Sequence, residues 1–349
     1  MNSLPGNKAR LRVASWPGMG AAHNPFLPAF LGALEAAGCQ VISIDRAEDL
    51  AHVDADIVLL HWAERAFGEA RSRMGVARKI RALLTGARDA QRRGARVVWL
   101  VHNIAPHDAR PLQRLIWPYL TRALARRADG FITLSPGTVD SVRRALPDLA
   151  AKPGVGLWHP AYTDAETPPD LRDAARAALG FGQARVLGYC GQIRPYKGVE
   201  ELITTFRAAP APDLRLWLAG RPGSAAFAAH LRHLASGDTR IRLDLRDLGA
   251  DEFRTALGVC DVTVAPLRDY LHSGSIIHAL SAGRAVLTPD TPFSRALKAE
   301  LGGAWLQLYT GALTPQLLDA ATPAPGRPDL APFAADTVGR AASAFFSSL

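Results

Sequence analysis

Short apolar runs alternate with amphipathic stretches along almost the whole of this chain, and that alternation limits the fold more than any other feature. Strands are expected at residues 11–15, 41–44, 57–61, 97–102 and 130–134, with helices such as 28–37 and 76–92 between them. Gly38 and Gly94 stand where helices stop before the next strand. A second series follows, with strands expected at 186–190, 214–218, 241–243, 262–265 and 285–287. Its helices are expected at 199–208, 225–235, 251–259 and 275–282. Strand and helix in strict turn imply an α/β fold, with parallel sheets covered on both faces.

A chain of 349 residues has room for two such domains. Residues 163–173, rich in Pro, Asp and Thr, read as a linker, and a Pro-rich stretch at 322–332 precedes a final apolar helix at 333–346. The expected division is therefore a first domain over 1–162, a linker over 163–183 and a second domain over 184–325. A C-terminal helix within 326–349 is expected to pack back towards the first domain.

Charge separates the two halves. Residues 1–160 hold 22 Lys and Arg against 13 Asp and Glu, whereas the remainder holds 19 of each, so the whole net charge of +9 lies in the first half. Such an excess suits an anionic partner: phosphate, acidic lipid or nucleic acid. Residues 65–93 are dense in Arg, and 111–127 mix Arg114, Arg122, Arg126 and Arg127 with Leu115, Ile116, Trp117, Tyr119 and Leu120. A basic helix with an aromatic and aliphatic face fits an anionic membrane surface; a core-facing helix with a solvated Arg face is the plainer alternative. A nucleic-acid-binding protein is a different-class reading, but no nucleic-acid motif is present and the second half is neutral.

Other classes are disfavoured. No apolar run approaches a membrane span and no signal-peptide core precedes the first strand, so a cytoplasmic location is expected. Cys39, Cys190 and Cys260 are scattered and read as small core residues. Asp54 and Asp56 form a D-x-D before a strand, a poor place for a metal, and Gly18 with Gly20 lacks the third glycine of a dinucleotide fingerprint. Neither a metal nor a cofactor is expected.

Ligands of open parallel sheets sit beyond the carboxyl ends of the strands, so the following loops are where chemistry is sought. In 188–200, GYCGQIRPYKGVE, Gly191 lets backbone approach a ligand, Arg194 and Lys197 supply two cations, and Gly198 opens a helix. Cations beside a helix N-terminus suit a diphosphate; a solvated basic loop is the alternative. Ser273, Gly274 and Ser275 begin another helix and suit phosphate or sugar hydroxyls, or form an ordinary cap. His102 and Asn103, then His107 and Asp108, crowd one strand end, although His102 also fits a satisfied core histidine. His61 and Glu64 follow the strand at 57–61, and burial there would equip Glu64 as a base. A surface glutamate at a helix start is the other reading.

Together these segments resemble the GT-B glycosyltransferases, and among them the mannosyltransferases of lipid-linked exopolysaccharide assembly. The resemblance is carried by Asn24-Pro25-Phe26, LHWAE at 60–64, HNIAPHDAR at 102–110, IRPYKGVE at 193–200, HSGSIIHALSAGRAVL at 272–287 and LYTG at 308–311. It implies two Rossmann-like domains facing across a cleft, with the nucleotide-sugar donor on the second and the acceptor on the first. Arg194 and Lys197 would hold the donor diphosphate, Ser273, Gly274 and Ser275 would lie near phosphate or sugar, and His102 and Asn103 would face the transferred sugar. Many retaining members carry two glutamates eight positions apart where this chain has Tyr270 and His278, which fits an inverting transfer from GDP-mannose. Such a transfer needs one base, for which Glu64 and Asp108 stand level and His102 and His107 remain open. The implied acceptor is a polyprenyl-diphosphate-linked oligosaccharide at the inner face of the cell membrane. A UDP-sugar donor, glucose or glucuronate, is the alternative within the same fold.

Overall fold

The computed structural model describes residues 10–21, 25–67, 72–106, 111–268 and 270–349. The chain divides into two compact units, Met1–Pro160 with Ala331–Leu349, and Ala161–Leu330.

The first unit runs β1 (Arg12–Trp16), α1 (Phe26–Ala36), β2 (Gln40–Ser43), β3 (Ile57–Leu60), α2 (Arg73–Arg92), β4 (Arg96–Leu100), α3 (Pro111–Arg127), β5 (Gly130–Thr133), α4 (Val139–Ala145) and β6 (Gly154–Gly156). Among the described residues its sheet has the order β2-β1-β3-β4-β5-β6, all parallel. β3 and β5 are buried along their length, as strands covered on both faces must be. α2 starts at Ser72, whose hydroxyl accepts the Gly75 N–H at 3.1 Å, and it buries Val76, Leu83, Ala87 and Ala90 on one stripe.

The second unit runs α5 (Pro169–Ala178), β7 (Arg185–Cys190), α6 (Val199–Arg207), β8 (Leu214–Ala219), α7 (Ala225–Ala235), β9 (Ile241–Asp244), α8 (Ala250–Val259), β10 (Val262–Val264), α9 (Gly274–Ser281), β11 (Ala285–Pro289), α10 (Pro292–Leu301), β12 (Leu306–Tyr309) and α11 (Pro315–Ala320). Its parallel sheet has the order β12-β11-β10-β7-β8-β9. A core of Leu187, Tyr189, Ile203, Phe206, Leu216 and Leu231, among others, joins the sheet to α6 and α7. Cys190 and Cys260 lie in that unit's interior with their sulfurs 4.0 Å apart, and Cys39 is also buried.

After the second unit the chain returns. α12 (Ala335–Ser347) lies on α1 in the first unit, where a Cβ on Gly339 would come within 2.0 Å of the Ala33 carbonyl oxygen. Only a glycine admits that approach. Among the described residues no helix is long and apolar enough to cross a membrane.

Some local expectations need correction. The stretch 163–183 holds a ten-residue helix, α5, where a linker was expected. Pro168, Pro169 and Asp170 are helix-start residues as well as loop residues. Arg172 and Arg176 then fix the helix to Asp261 at 2.6 and 3.2 Å. β4 ends at Leu100 and β3 at Leu60, so His61 and His102 stand just beyond their strands rather than within them. β6 lies at Gly-Val-Gly, where a Cβ on Gly154 would come within 2.3 Å of the Phe131 ring. Its glycines are there for close packing, so strand propensity is silent about it.

Candidate functional site

Each unit gathers polar groups at or beside the place where its strand order reverses. In the first sheet that point lies between β1 and β3, and in the second between β7 and β10. β3 and β4 pair in parallel, with Leu60 opposite Trp99, so the residues after both strands emerge side by side.

In the first unit this brings together His61, Trp62 and Glu64 after β3 with His102 and Asn103 after β4. His61 Nδ1 and His102 Nε2 are 3.3 Å apart, and Asn103 Nδ2 donates to Glu64 Oε1 at 3.2 Å. Trp62 adopts a left-handed backbone with φ +35° and stacks on the His102 ring at 4.6 Å. Phe26, opening α1, meets His102 edge-on at 5.1 Å and tilts against His159 at 5.0 Å. His159 Nδ1 donates to the Pro160 carbonyl at 2.8 Å.

Burial sets the electrostatics of this cluster. It lowers the pKa of His61 to about 3 and that of His159 to about 4, so both rings are neutral near pH 7. Among the described residues His61 Nε2 is buried and has no hydrogen-bond partner. Desolvation also raises the Glu64 pKa, against smaller lowering effects of a backbone hydrogen bond, Asn103 and Arg65. A half-buried carboxylate whose pKa desolvation raises, and which Asn103 holds in place, is equipped to take a proton from a hydroxyl. Asp108 and His107 lie outside the described residues. Asp54 and Asp56 both pair with Arg12, and Asp56 also accepts the Arg12 backbone N–H at 2.8 Å, so they fasten the start of β1.

In the second unit the loops after β7, β8 and β10 converge. Gly191 has φ +136° and Gly220 φ +137°, and a Cβ on Gly220 would fall 1.8 Å from the Gly191 carbonyl oxygen. Arg194 folds over this junction and donates from Nη1 to the carbonyls of Ile193 and Arg221, both at 3.2 Å. A single-turn helix, Pro195–Lys197, carries Lys197 beside the Tyr196 ring. Gly198 follows with φ +71°, and a Cβ there would come within 2.6 Å of the Pro266 carbonyl oxygen. The start of α6 therefore presses on the loop after β10.

Ser273 caps α9, its hydroxyl accepting the Ile276 N–H at 3.4 Å and lying 3.0 Å from the Ser275 hydroxyl. A Cβ on Gly191 would be 3.8 Å from the Ser275 Cβ, which puts the Gly191 loop and the Ser273–Gly274–Ser275 turn in contact. Two carboxylates near the start of α6 are engaged elsewhere. Glu200 meets His230 at 2.7 Å, and Glu201 takes Arg268 at 3.0 Å and the Leu313 N–H at 3.1 Å. Two cations and two helix starts then leave this corner fit for a diphosphate. The Tyr270 hydroxyl lies 3.3 Å from that of Thr288, and His278 stacks on Tyr162 at 4.1 Å.

Reading along the chain misses three members of these clusters. His159 arrives from far along the sequence and shares no local motif with His61 or His102. The left-handed backbone of Trp62 has no residue signal, since such a conformation favours glycine. Gly220 is visible as a glycine ending an apolar strand, which is the signal that could have found it.

Comparison with known proteins gives the family and the fold. The family described as glycosyl transferases group 1 matches residues 184–314. A GDP-mannose:glycolipid 4-β-D-mannosyltransferase of Xanthomonas campestris pv. campestris is 30% identical over 278 residues, covering 78% of this chain and 73% of that protein. A second protein of the same description is 29% identical over 279 residues. Among solved structures, Anabaena HepE in complex with UDP and glucose superposes with a TM-score of 0.68 at 14% identity, covering 97% of this chain and 100% of that one. Sucrose-phosphate synthase of Thermosynechococcus elongatus does so with a TM-score of 0.62 at 16% identity, over 97% and 95% of the two chains. The likeness to these structures is one of fold, the GT-B architecture.

Proposed function

The chain belongs to the group 1 glycosyltransferases, and we infer from that premise that it moves mannose from GDP-mannose, with inversion, onto a polyprenyl-diphosphate-linked oligosaccharide in exopolysaccharide assembly. The observation that carries this reading is the 30% identity to the Xanthomonas GDP-mannose:glycolipid mannosyltransferase, sustained over 278 residues. The second unit takes the donor. Arg194, Lys197 and the backbone at Gly191 receive the diphosphate, and Ser273, Gly274 and Ser275 contact phosphate or sugar. Asn103 and His102 face the sugar. Glu64 accepts the proton of the attacking acceptor hydroxyl as its oxygen bonds to the anomeric carbon and the bond to diphosphate breaks. The GDP leaves with growing negative charge, which the two cations and the helix starts stabilise. Glu64 is supported as the base by its desolvation and by the hydrogen bond it accepts from Asn103, while Asp108 and His107 lie outside the described residues. Because the acceptor lipid lives in a bilayer, we place the reaction at the inner, anionic face of the cell membrane, with the basic first unit towards it.

A second reading, transfer from a UDP-sugar such as glucose or glucuronate, is favoured by the UDP and UDP-glucose complexes of HepE, which has the same fold. Thermal melting with GDP, GDP-mannose, UDP, UDP-glucose and UDP-glucuronate separates the two. A ligand at about 100 times its Kd adds roughly 2.7 kcal/mol, which moves a melting transition by several degrees. Selective stabilisation by GDP compounds, followed by transfer of labelled mannose to a lipid-linked oligosaccharide, is the expected result. Stabilisation by UDP compounds alone replaces the donor, and no response to any of them overturns the donor site.

A further inference from the structure

α2 and α3 concentrate the charge of the whole molecule. Together they hold ten Lys and Arg against a single acid, Asp89, a net of +9 that equals that of the entire chain. Asp89 is itself taken up by Arg92 at 3.1 Å, and Arg122 and Arg126 turn to Asp148. The same two helices expose large apolar side chains: Met74 is 82% exposed, Tyr119 74% and Leu115 68%. Between them runs a groove of about 550 Å³ with Ile80, Leu84 and Ile116 as apolar lining and Arg81, Arg88 and Arg127 as its cations.

Apolar lining and guanidinium groups within one groove match a ligand that is a hydrocarbon chain at one end and a phosphate at the other. A bare polyanion would use the arginines and leave the lining idle. We propose that this groove binds an anionic phospholipid of the bilayer surface, with an acyl chain against Ile80, Leu84 and Ile116 and the phosphate among Arg81, Arg88 and Arg127. Tyr119, Leu115 and Met74 enter the headgroup region around it. The proposal rests on the reading of the first unit as membrane-facing and deepens it, from a charged surface to a site.

The test is flotation of the full chain on vesicles of phosphatidylglycerol with phosphatidylcholine, beside vesicles of phosphatidylcholine alone. Wild type floats with the anionic vesicles only, and added salt weakens it. Arg81→Glu with Arg88→Glu lowers the bound fraction by at least about tenfold. Thr85→Trp is the decisive variant, because Thr85 is exposed and lines the groove, so an indole fills it without changing the charge. Thermal melting checks that both variants are folded. Loss of flotation by Thr85→Trp supports the site. Thr85→Trp floating as well as wild type overturns the groove and leaves an electrostatic membrane surface standing. Wild type failing to float on anionic vesicles, whether or not it retards an oligonucleotide, overturns both.

Discussion

At the scale of single residues, the cluster after β3 and β4 turns on which groups are charged. As the proposed base, Glu64 acts only when ionised, and burial raises its pKa. Turnover should therefore fall, as pH is lowered, at a higher pH than an ordinary carboxylate would set. Glu64→Gln should lose about two or more orders of magnitude in kcat with the Kd for donor nearly unchanged, and Asp108→Asn is the matched control. Single-turnover transfer together with donor titration reads both quantities, and full activity in Glu64→Gln would reassign the base. His61 and His159 give a second prediction. Their folded-state pKa values, about 3 and about 4, lie below the ordinary 6.5, so between those limits the unfolded chain binds protons that the folded chain refuses. Stability is then whole above pH 6.5 and falls with pH, by up to about 1.4 kcal/mol per unit for each histidine. From pH 7 to pH 5 the pair should cost the first unit about 4 kcal/mol, read as a drop in the urea midpoint. A flat profile would mean that the rings are not held neutral. Of these groups, Glu64, His102 and Asn103 are legible in the sequence because each closely follows an apolar strand. His159 is not, because it follows the glycine-built β6 and meets the site through packing such as that of Phe26 against its ring.

At the scale of elements, the alternation of short apolar runs with amphipathic helical stretches carries most of the fold, since strands covered on both faces are mostly apolar and a covering helix turns an apolar stripe to the sheet. What escapes is short or uses residues for packing rather than propensity. β6 is built on Gly154 and Gly156, and α5 begins in prolines that read equally as linker. Glycines at element junctions are a further case. Gly198 and Gly283 both have positive φ, +71° and +67°, but a Cβ on Gly198 would meet the Pro266 carbonyl oxygen at 2.6 Å, whereas one on Gly283 would meet nothing within 4 Å. Gly283→Ala should thus cost only the left-handed backbone, about 1–2 kcal/mol. Gly198→Ala adds a collision with backbone, so its cost should reach about twice that or more and donor affinity should fall with it, because the start of α6 must shift. Chemical unfolding and GDP titration of the two variants make the comparison. Equal losses in both would mean that the loop after β10 gives way freely and does not depend on α6.

For the whole molecule, the chain leaves its first unit at Pro160, builds a complete second unit over Ala161–Leu330, and then returns α12 to the first. The two units are therefore unequal in what they need from the rest of the chain. The second unit has its sheet, its helices and all the proposed diphosphate contacts within one continuous segment. The first depends on a helix encoded at the far end of the sequence. Residues 161–330 expressed alone should fold cooperatively and be stabilised by the nucleotide diphosphate that stabilises the full chain. Ending the chain at Leu330 should instead uncover the apolar side of α1 against which Val338, Ala342 and Phe346 are buried. Burying such a side chain contributes about 1.5–3 kcal/mol, and the Gly339 contact with Ala33 is lost as well, so the first unit should become unstable by several kcal/mol. Differential scanning of the shortened protein would then show the nucleotide-sensitive transition kept and the other lowered or gone. Loss of the nucleotide response on the same truncation would mean that donor binding draws on the first unit, and residues 161–330 alone should then fail to respond as well.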